Sequence, residues 1–202
     1  QWQIPLNGND KQAPVIFKDD ELSLGKYSDV RQQLGEPFRV NVGNSSHFIV
    51  HYDATLLDDI LAHLDKFDAI TQLQLLQDLR LLAEGRQVSY ASIVPLLQRF
   101  ADSKATVVIT ALYVMANNLK KFVTPDSDEE KALQRLFDRL SHAQVQRLGW
   151  LPVAGESNDD QLARPTVLSA ALYAQNHDAI AVAHQIFTDN QTKLATLSAD
   201  IR

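Results

Sequence analysis

The sequence predicts a mainly α-helical protein with a small β part, and a change of pattern along the chain carries that prediction. Residues 1–52 place apolar side chains with a period near two, which is typical of strands. After Asp53 the apolar spacing changes to three and four, which is typical of helices that bury one side. We therefore expect a short antiparallel β-sandwich segment over 1–52, followed by an irregular α-helical solenoid of the HEAT or armadillo type over 53–202.

The strand region alternates apolar and polar side chains between clusters of turn-forming residues. Glycine, asparagine and proline accept or preset turn conformations, so the strands between them are expected to be short, antiparallel and roughly five in number. The alternating apolar residues are Trp2, Ile4 and Leu6, then Phe38, Val40 and Val42, then Phe48, Val50 and Tyr52. The turn clusters are Asn7–Asp10, Gly25, Gly35–Pro37 and Gly43–Ser45.

Helix signals follow one another through the rest of the chain. A first apolar stripe predicts a helix that buries one side. A second helix is predicted over 70–84, and we expect it to stop at Gly85 because glycine accepts a left-handed cap without strain. The first stripe consists of Leu56, Leu57, Ile60, Leu61 and Leu64. Either Ser89 or Ser92 can cap the next helix, and Pro95 falls in its first turn only if Ser92 is the cap.

The second half of the helical region begins with a helix that we expect Ser103 to open. Ser127 and Glu130 have the spacing of a capping box, which predicts a helix that runs to Leu148. The remaining predicted elements are a loop over 150–158 and helices over 160–174 and 179–190. Short helices with brief connections predict antiparallel pairs stacked as a solenoid, without a fixed sequence repeat.

The composition limits the classes of function. With 202 residues, of which 45% are hydrophobic and 22% charged, the chain can bury a real core and is globular rather than disordered. A formal charge of −6 opposes binding to nucleic acid or to an anionic membrane, because both need clustered Lys and Arg. The chain lacks cysteine, which excludes disulfides and thiolate sites and fits a cytoplasmic protein. No apolar run reaches the roughly 18 residues that span a bilayer.

Six histidines raise the question of a zinc site. A helical zinc site needs two imidazoles on one face, typically as His-Glu-x-x-His, and no such string occurs. His47 and His51 have the spacing but fall in the strand pattern, so we interpret them as polar residues on a sheet face. His177 and His184 lie two turns apart in the last helix, and no carboxylate is placed to complete a site. We interpret both as surface or interfacial side chains and assign no metal ligand.

Charged groups elsewhere are explained by helix ends. The helix dipole favours negative charge at a helix start and positive charge at a helix end, where Lys120-Lys121 lies. The acidic groups at helix starts are Asp58-Asp59, Asp126–Glu130 and Asp159-Asp160. The sequence has no glycine-rich phosphate loop and no Gly-x-Ser-x-Gly motif, so we assign no catalytic and no cofactor-binding residue.

Four stretches, in order along nearly the whole chain, carry a resemblance to the C-terminal region of one enzyme family. The first is Trp2 with Ile4-Pro5-Leu6, which is similar to a sandwich strand. The second is Asn41–Asp53, which resembles the strand pair leading into the helical domain and matches at Val50, Tyr52 and Asp53 but not at Ser46, Ile49 and His51. The third is Leu75–Asp78 with Leu82-Ala83, Gly85 and Val88–Tyr90, where Thr71-Gln72 replaces the family's Asp-Arg pair. The fourth is Leu148–Trp150 with Gly155–Ser157 and Arg164 before Val167-Leu168, displaced by one residue at Leu162–Arg164.

Taken together, the four stretches resemble the C-terminal region of the aminopeptidase N family of zinc peptidases. The resemblance implies a metallopeptidase with a single zinc ion that removes N-terminal residues from peptides. This chain would supply the end of its β-sandwich and most of its helical domain. In the family, the helical domain closes over the catalytic domain and encloses a chamber that limits which peptides enter. The zinc-binding residues of the family lie upstream, so zinc would belong to a catalytic domain outside this chain. The implied partners are that upstream catalytic domain and peptide substrates.

The function we expect is therefore that of a non-catalytic C-terminal segment of a zinc aminopeptidase. The alternative is a free-standing HEAT-like scaffold that binds a protein partner on its concave face. Because the chain opens at Gln1 without a methionine and ends at Arg202 without a capping helix, we expect a piece of a longer polypeptide. An unpaired sheet edge and an apolar patch would then make the isolated chain self-associate.

Overall fold

The computed structural model describes residues 3–13 and 15–191, and in these residues the protein is mainly α-helical with a small β part. This confirms the predicted fold class, while the solenoid type stays a prediction. The chain divides into two compact units, Gln1–Ile93 and the residues from Val94 onward. The predicted boundary between residues 52 and 53 falls inside the first unit, and the predicted domain division also stays a prediction.

The secondary structure of the described residues comprises two short strands, eight α-helices and three 3₁₀ helices. The first unit contains β1 (Ile4–Pro5), β2 (Ile16–Phe17), α1 (Tyr27–Leu34), α2 (Ala54–Ala62), a 3₁₀ helix (Leu64–Lys66), α3 (Ala69–Glu84) and α4 (Tyr90–Ile93). The second unit contains a 3₁₀ helix (Val94–Phe100), α5 (Thr106–Asn118), a 3₁₀ helix (Leu119–Phe122), α6 (Asp128–Leu148), α7 (Asn158–Tyr173) and α8 (His177–Asn190).

The strand content of the first unit is smaller than predicted. The strands β1 and β2 pair antiparallel, with Ile4 opposite Phe17 and Pro5 opposite Ile16, and no other described residue belongs to a strand. The predicted strands over Phe38–Val42 and Phe48–Tyr52 are therefore wrong, as is a sandwich segment built from them. Trp2, the first residue of the predicted strand set, lies outside the described residues.

Positive backbone angles break up the predicted strands. Asn41, Gly43 and Asn44 have φ values of 56°, 79° and 51°, so the chain turns within a short stretch. The buried Asn41 side chain holds this turn, because its Oδ1 accepts from the Ser46 amide at 2.8 Å and its Nδ2 donates to the Ser46 carbonyl at 2.9 Å. An asparagine that closes a loop in this way competes with strand pairing.

The segment before this turn still pairs with the start of the chain, although irregularly. The Asn9 amide donates to the Arg39 carbonyl at 3.0 Å, and the amides of Asn41 and Val42 donate to the carbonyls of Leu6 and Asn7, each at 2.9 Å. The apolar alternation thus reflects a chain segment whose backbone is partly paired, without the continuous ladder that defines a strand.

A helix, α1, lies inside the region that was predicted to hold only strands and turns. It buries only Val30 and ends at Gly35, whose φ of 69° is the left-handed conformation that glycine favours. One buried residue in two turns leaves almost no apolar period to detect, which is why the sequence pattern did not indicate it.

The predicted change from period two to helix is confirmed at Asp53. Its side chain accepts a hydrogen bond from the Leu56 amide at 2.9 Å and so caps α2. The end of α3 differs in detail: Gly85 has a φ of −78°, and Arg86 takes the left-handed conformation with a φ of 58°. The Arg86 amide donates to the Ala83 carbonyl at 3.0 Å and the Gln87 amide to the Leu82 carbonyl at 2.8 Å, which is the Schellman pattern one residue later than predicted.

Two of the expected helix starts resolve differently. Ser89 is the cap of α4, since its hydroxyl accepts from the Ser92 amide at 3.1 Å, and Pro95 then falls in the following 3₁₀ helix. Ser103 does not open α5, which begins at Thr106 after Ala105. A side chain from another helix supplies the missing cap, because the Thr106 amide donates to Asp159 Oδ1 at 3.4 Å.

The helices of the second unit pack mainly against α7, which contacts α6, α5 and α8. The starts of α5 and α7 lie together, since the Thr106 hydroxyl donates to the Asp159 carbonyl at 2.7 Å, and their ends lie together where Lys120 approaches the Tyr173 ring. Thus α5 and α7 run in the same direction. The end of α6 meets the start of α7 at Arg147 and Asp160, so α6 runs opposite to both. The most deeply buried large residues of this unit are Leu97, Phe100, Val108, Ile109, Leu112, Met115, Phe137, Leu140 and Val167.

Candidate functional site

The residues of the fourth resembling stretch meet around the buried side chain of Arg164. Its Nε and Nη2 donate to the Leu148 carbonyl at 3.3 and 3.1 Å, and its Nη1 donates to Glu156 Oε1 at 3.0 Å. Nη2 also donates to the second carboxylate oxygen of Glu156. The two side chains are 4% and 9% exposed, so this is a buried, bidentate ion pair. We name Leu148, Glu156 and Arg164 the Arg164 cluster.

The Arg164 cluster connects three parts of the second unit. Leu148 is the last residue of α6, where a cation satisfies a free carbonyl and interacts well with the helix dipole. Glu156 lies in the loop before α7, and the hydrogen bond from Arg164 holds the pKa of this carboxyl below its usual value. The cluster therefore fastens the loop to the helices on either side.

Polar contacts next to the cluster fix the start of α5. Gln144 is 3% exposed, and its Nε2 donates to the carbonyls of Ala101 and Ser103 at 2.7 and 2.8 Å. Arg147 Nε donates to Gln144 Oε1 at 2.9 Å, and Arg147 also pairs with Asp160, whose pKa it holds below the usual range. The Gln144 amide group is therefore hydrogen-bonded within the protein, where it links α6 to the segment that precedes α5.

A pocket of about 140 Å³ lies between α6 and α8. Its polar side is formed by Asp138, whose carboxylate accepts from Asn176 Nδ2 at 2.8 Å, and by Asp178 and His142. The Trp150 ring forms part of its apolar side. The lining residues are Asp138, Ser141, His142, Val145, Gln146, Trp150, Ala171, Asn176, Asp178, Ala179 and Val182. The Asp138 and Asn176 side chains bind each other across this space, and none of the hydrogen bonds described among the lining residues joins a nucleophile to a base.

The histidines considered for zinc are spread over the surface. His47 and His51 are exposed and lie outside any strand or helix, so the predicted sheet face is wrong for both. His177 and His184 are exposed on α8. Within residues 3–13 and 15–191, no three or more His, Cys, Asp or Glu side chains come together in a way that could hold a metal ion.

A second charged cluster lies in the first unit and was missed by sequence reasoning. Asp59 is the sixth residue of α2 rather than its start, and its carboxylate accepts from Arg31 Nε at 2.6 Å and from the Tyr27 hydroxyl. His63 Nδ1 lies 3.2 Å from Asp59 Oδ1. Burial opposes ionisation of Asp59, but the hydrogen bonds from Tyr27 and Arg31 outweigh it and lower the pKa of the carboxyl. We name these four residues the Asp59 cluster.

A third carboxyl, Asp78, is buried on α3 without a cation. Burial raises its pKa to about 6, while hydrogen bonds involving the Val50 backbone and the Gln74 side chain oppose the rise. Its Oδ2 has no hydrogen-bond partner among the described residues. Tyr52 lies near enough to feel this charge; its hydroxyl accepts from the Val40 amide at 3.2 Å, and burial raises its pKa to about 12.

Lys120 has a partner that the sequence did not indicate. Its Nζ lies 3.6 Å from the centre of the Tyr173 ring and 4.9 Å from that of Phe137, both cation–π distances. Burial lowers the pKa of Lys120. The other acidic groups agree with the prediction, since Asp128–Glu130 and Asp159-Asp160 lie in the first turns of α6 and α7.

None of the helices that the structure describes combines the length and the apolar character needed to cross a membrane. The second unit is a helical assembly fastened by polar contacts around Arg164 and Gln144.

Comparison with known proteins places the chain. The family model described as ERAP1-like C-terminal domain matches residues 38–202. Over its full 202 residues, the chain is 59% identical to the aminopeptidase N of Lactobacillus helveticus and 53% identical to that of Lactobacillus delbrueckii subsp. lactis. It is 25% identical over 194 residues to aminopeptidase M1-C of Oryza sativa subsp. japonica, with 88% of the chain covered.

The chain spans about a quarter of the length of these relatives, namely 24% of each Lactobacillus protein and 21% of the rice protein. The matched part is their C-terminal region. The predicted resemblance is therefore confirmed, and the chain belongs to the ERAP1-like C-terminal domain family as the C-terminal domain of an aminopeptidase N-like protein.

Proposed function

We propose that this chain is the non-catalytic C-terminal portion of a zinc aminopeptidase that removes N-terminal residues from peptides. In that enzyme it would enclose the chamber around the active site and limit which peptides reach it. The observation that carries the proposal is the 59% identity over the whole chain to 24% of an aminopeptidase N. At that identity the two C-terminal regions share a fold and its main contacts.

Zinc, in this proposal, is held outside the chain. A catalytic zinc site needs about three protein ligands and an open position. The described residues do not fit that need, because no suitable group of His, Cys, Asp or Glu side chains comes together in them. The chemistry that zinc would supply, activation of a water at the scissile peptide bond, is thus assigned to the part of the parent that precedes this chain.

The role left to this chain is to form a rigid wall. The Arg164 cluster and Gln144 fasten the loop over 150–158, α6 and the start of α5 into one assembly, which suits a surface that must keep its shape while peptides pass. The net charge of −6 and the lack of cysteine are compatible with a cytoplasmic enzyme that acts on soluble peptides.

The parentage is tested by the reading frame that encodes this sequence. We expect it to extend upstream through a His-Glu-x-x-His string, with the present sequence further downstream. A reading frame that contains only this segment would contradict the proposal. It would favour instead the free-standing scaffold that binds a protein partner.

The chamber is tested by the dependence of cleavage on peptide length. The parent enzyme is expected to lose kcat/KM as peptides lengthen beyond what the chamber admits, and a parent shortened by this segment to lose that discrimination. If the shortened enzyme does not fold, Arg164→Met in the complete parent loosens the wall without removing it. An unchanged length profile in the folded variants would contradict the chamber.

A further inference from the structure

The pocket between α6 and α8 is lined by two carboxylates and, among the described residues, by no lysine or arginine. The carboxylates belong to Asp138 and Asp178. The described lining has one further ionisable side chain, His142, whose Nε2 lies 3.1 Å from Gln146 Nε2. An amide nitrogen can only donate a hydrogen bond, so this geometry describes an uncharged imidazole. The described lining therefore carries a net negative charge.

The charge of Asp138 is explained neither by the helix dipole nor by an ion pair. Asp138 lies in the middle of α6, too far from the helix start for the dipole to favour its charge. Its Oδ1 accepts from Asn176 Nδ2 at 2.8 Å, and its second oxygen accepts no hydrogen bond from the described residues. Asp59 and Asp160 are also half-buried, and each binds an arginine, whereas no described cation pairs with Asp138. Asp138 thus brings a half-buried carboxylate with a free oxygen to the pocket.

The other side of the pocket is apolar, and the pocket is small. Trp150, Val145 and Val182 line it, and tryptophan is the aromatic side chain that attracts a cation most strongly. Pockets that bind small molecules typically combine such apolar walls with a few polar groups that fix the orientation of the ligand. Since a cavity of about 150 Å³ admits benzene, the 140 Å³ here suit a group of about six non-hydrogen atoms.

We propose that this pocket binds an organic cation with a short apolar stem, namely an alkylammonium group. The ammonium lies at the carboxylates of Asp138 and Asp178, and the stem lies along Trp150 and the two valines. A free alkylamine and the lysine side chain of a peptide present this same group. The inference goes beyond the proposed function and does not depend on it, because the residues that carry it all belong to this chain.

The test is photolabelling of the product of the complete reading frame by an alkylammonium ion that carries a diazirine on its stem. Proteolysis and mass spectrometry then locate the label, which we expect on the peptides that contain Trp150 and Val182. An excess of n-pentylammonium should suppress this labelling. Uncharged n-pentanol, which has the same number of non-hydrogen atoms, should not suppress it, because it offers no charge to the carboxylates.

A second competitor, Nα-acetyllysine amide, distinguishes the two sources of the cation. Suppression by this compound as well as by n-pentylammonium assigns the pocket to lysine side chains. Suppression by n-pentylammonium alone assigns it to free amines. Either result supports an alkylammonium site.

Three variants show whether the two carboxylates hold the cation. Asp138→Asn and Asp178→Asn remove one charge each and keep the shape of the side chain, and the first still offers Asn176 an oxygen. Each should reduce the labelling of the pocket about tenfold, the loss expected for one hydrogen bond to a charged group. Asp189→Asn is the matched control, since Asp189 is exposed on α8 outside the pocket lining, and it should leave the labelling unchanged. Circular dichroism checks that each variant is folded.

Three outcomes would overturn the proposal. Suppression by n-pentanol equal to that by n-pentylammonium would show that the pocket takes any small apolar molecule. Unchanged labelling in folded Asp178→Asn, whose exposed side chain makes unfolding least expected, would show that the carboxylates do not hold the cation. An equal loss in Asp189→Asn would show that acidic surface in general attracts the probe. None of these outcomes affects the proposed function, which the reading frame and the length profile test separately.

Discussion

The Arg164 cluster and the Asp59 cluster are built from the same chemistry and differ in burial. In each, an arginine binds a carboxylate that other polar groups also contact. The paired side chains are 4% and 9% exposed at Arg164 and Glu156, but 26% and 21% exposed at Arg31 and Asp59. Water therefore screens the second pair more than the first, and the loss of one partner is expected to cost more at Arg164 than at Asp59.

Asp78 completes the comparison, because it is a buried carboxyl without an arginine. Its pKa rises to about 6, whereas the pKa values of Glu156 and Asp59 fall. Among these three carboxyls, the pKa falls where an arginine donates to the carboxylate and rises where burial acts without one.

The largest effect is expected from Arg164→Ala. It removes the hydrogen-bond partner of Glu156 and of the Leu148 carbonyl, so the free energy of unfolding should fall clearly more than it does on loss of a surface ion pair. Urea unfolding followed by circular dichroism measures the change. Arg80→Ala is the matched control, since Arg80 and Glu84 form a bidentate pair at the surface, and it should cost under about 1 kcal/mol. Equal losses in the two variants would contradict the role of burial.

The second effect concerns Asp78 and pH. Because its folded pKa is about 6 and its unfolded pKa about 4, the folded state binds the proton more tightly, and this stabilisation is complete below pH 4 and lost as pH rises through 6. The free energy of unfolding of Asp78→Asn, relative to that of the wild type, should therefore increase by about 2–3 kcal/mol between pH 4 and pH 7. Urea unfolding at pH 4 and at pH 7 measures this change. A difference between the two proteins that does not change with pH would show that Asp78 titrates normally.

A smaller effect of opposite sign is expected from Asp59→Asn. Since the folded pKa of Asp59 is lowered, its ionised form stabilises the protein above about pH 4, and that contribution is lost as pH falls below this value. At pH 7 the variant should lose about 1 kcal/mol, and the loss should shrink towards pH 3. Tyr27→Phe removes a hydrogen bond that lowers the pKa of Asp59 without removing the charge, so its loss should be smaller than that of Asp59→Asn and should also shrink as pH falls. A loss at Asp59 as large as that at Arg164 would contradict the comparison.

The smallest effect is expected at Arg86, where the backbone conformation matters and the charge does not. Arg86 is exposed and has a φ of 58°, which costs a residue with a side chain about 1 kcal/mol relative to glycine. Arg86→Gly should raise the free energy of unfolding by about 0.5–1 kcal/mol, while Arg86→Ala, which removes the same charge but keeps a Cβ, should not. If both variants behave alike, the side chain rather than the backbone decides the stability at this position.

The sequence predicted the helical part well because local signals determine it. Asp53, Ser127 and Ser157 cap their helices with their own side chains, and the apolar stripes of α2 and α3 face the core. The start of α5 was misplaced because its cap, Asp159, comes from a helix more than 50 residues further along the chain. No local pattern near Thr106 could have indicated it.

The strand region shows a different limit. Phe48, Val50 and Tyr52 are half-buried while His47, Ile49 and His51 are exposed, so the predicted alternation of burial is real. Strand pairing needs a partner segment as well, and the turn that Asn41 closes removes the regular partner. The apolar period therefore predicted which side chains of this segment are more buried, but it could not predict how the backbone is hydrogen-bonded.

The Arg164 cluster and the Asp59 cluster also differ in how far the sequence could predict them. Arg164 belongs to the stretch that resembles the family's Leu-Gly-Trp region. The hydrogen bond from Arg164 to the Leu148 carbonyl depends on the fold, so the sequence could not indicate it. The Asp59 cluster had no sequence signal at all, because Tyr27 and Arg31 lie on α1, which the periodicity missed.

The central proposal, that this chain is the non-catalytic part of a zinc aminopeptidase, is tested most directly by assaying two proteins side by side. The isolated chain and the product of the complete reading frame are purified, and each is measured for zinc content and for hydrolysis of an aminoacyl p-nitroanilide. We predict about one zinc ion per chain and hydrolysis in the complete polypeptide, and neither in the isolated chain. Tightly bound zinc or hydrolysis in the isolated chain, or a complete polypeptide without either, would contradict the claim.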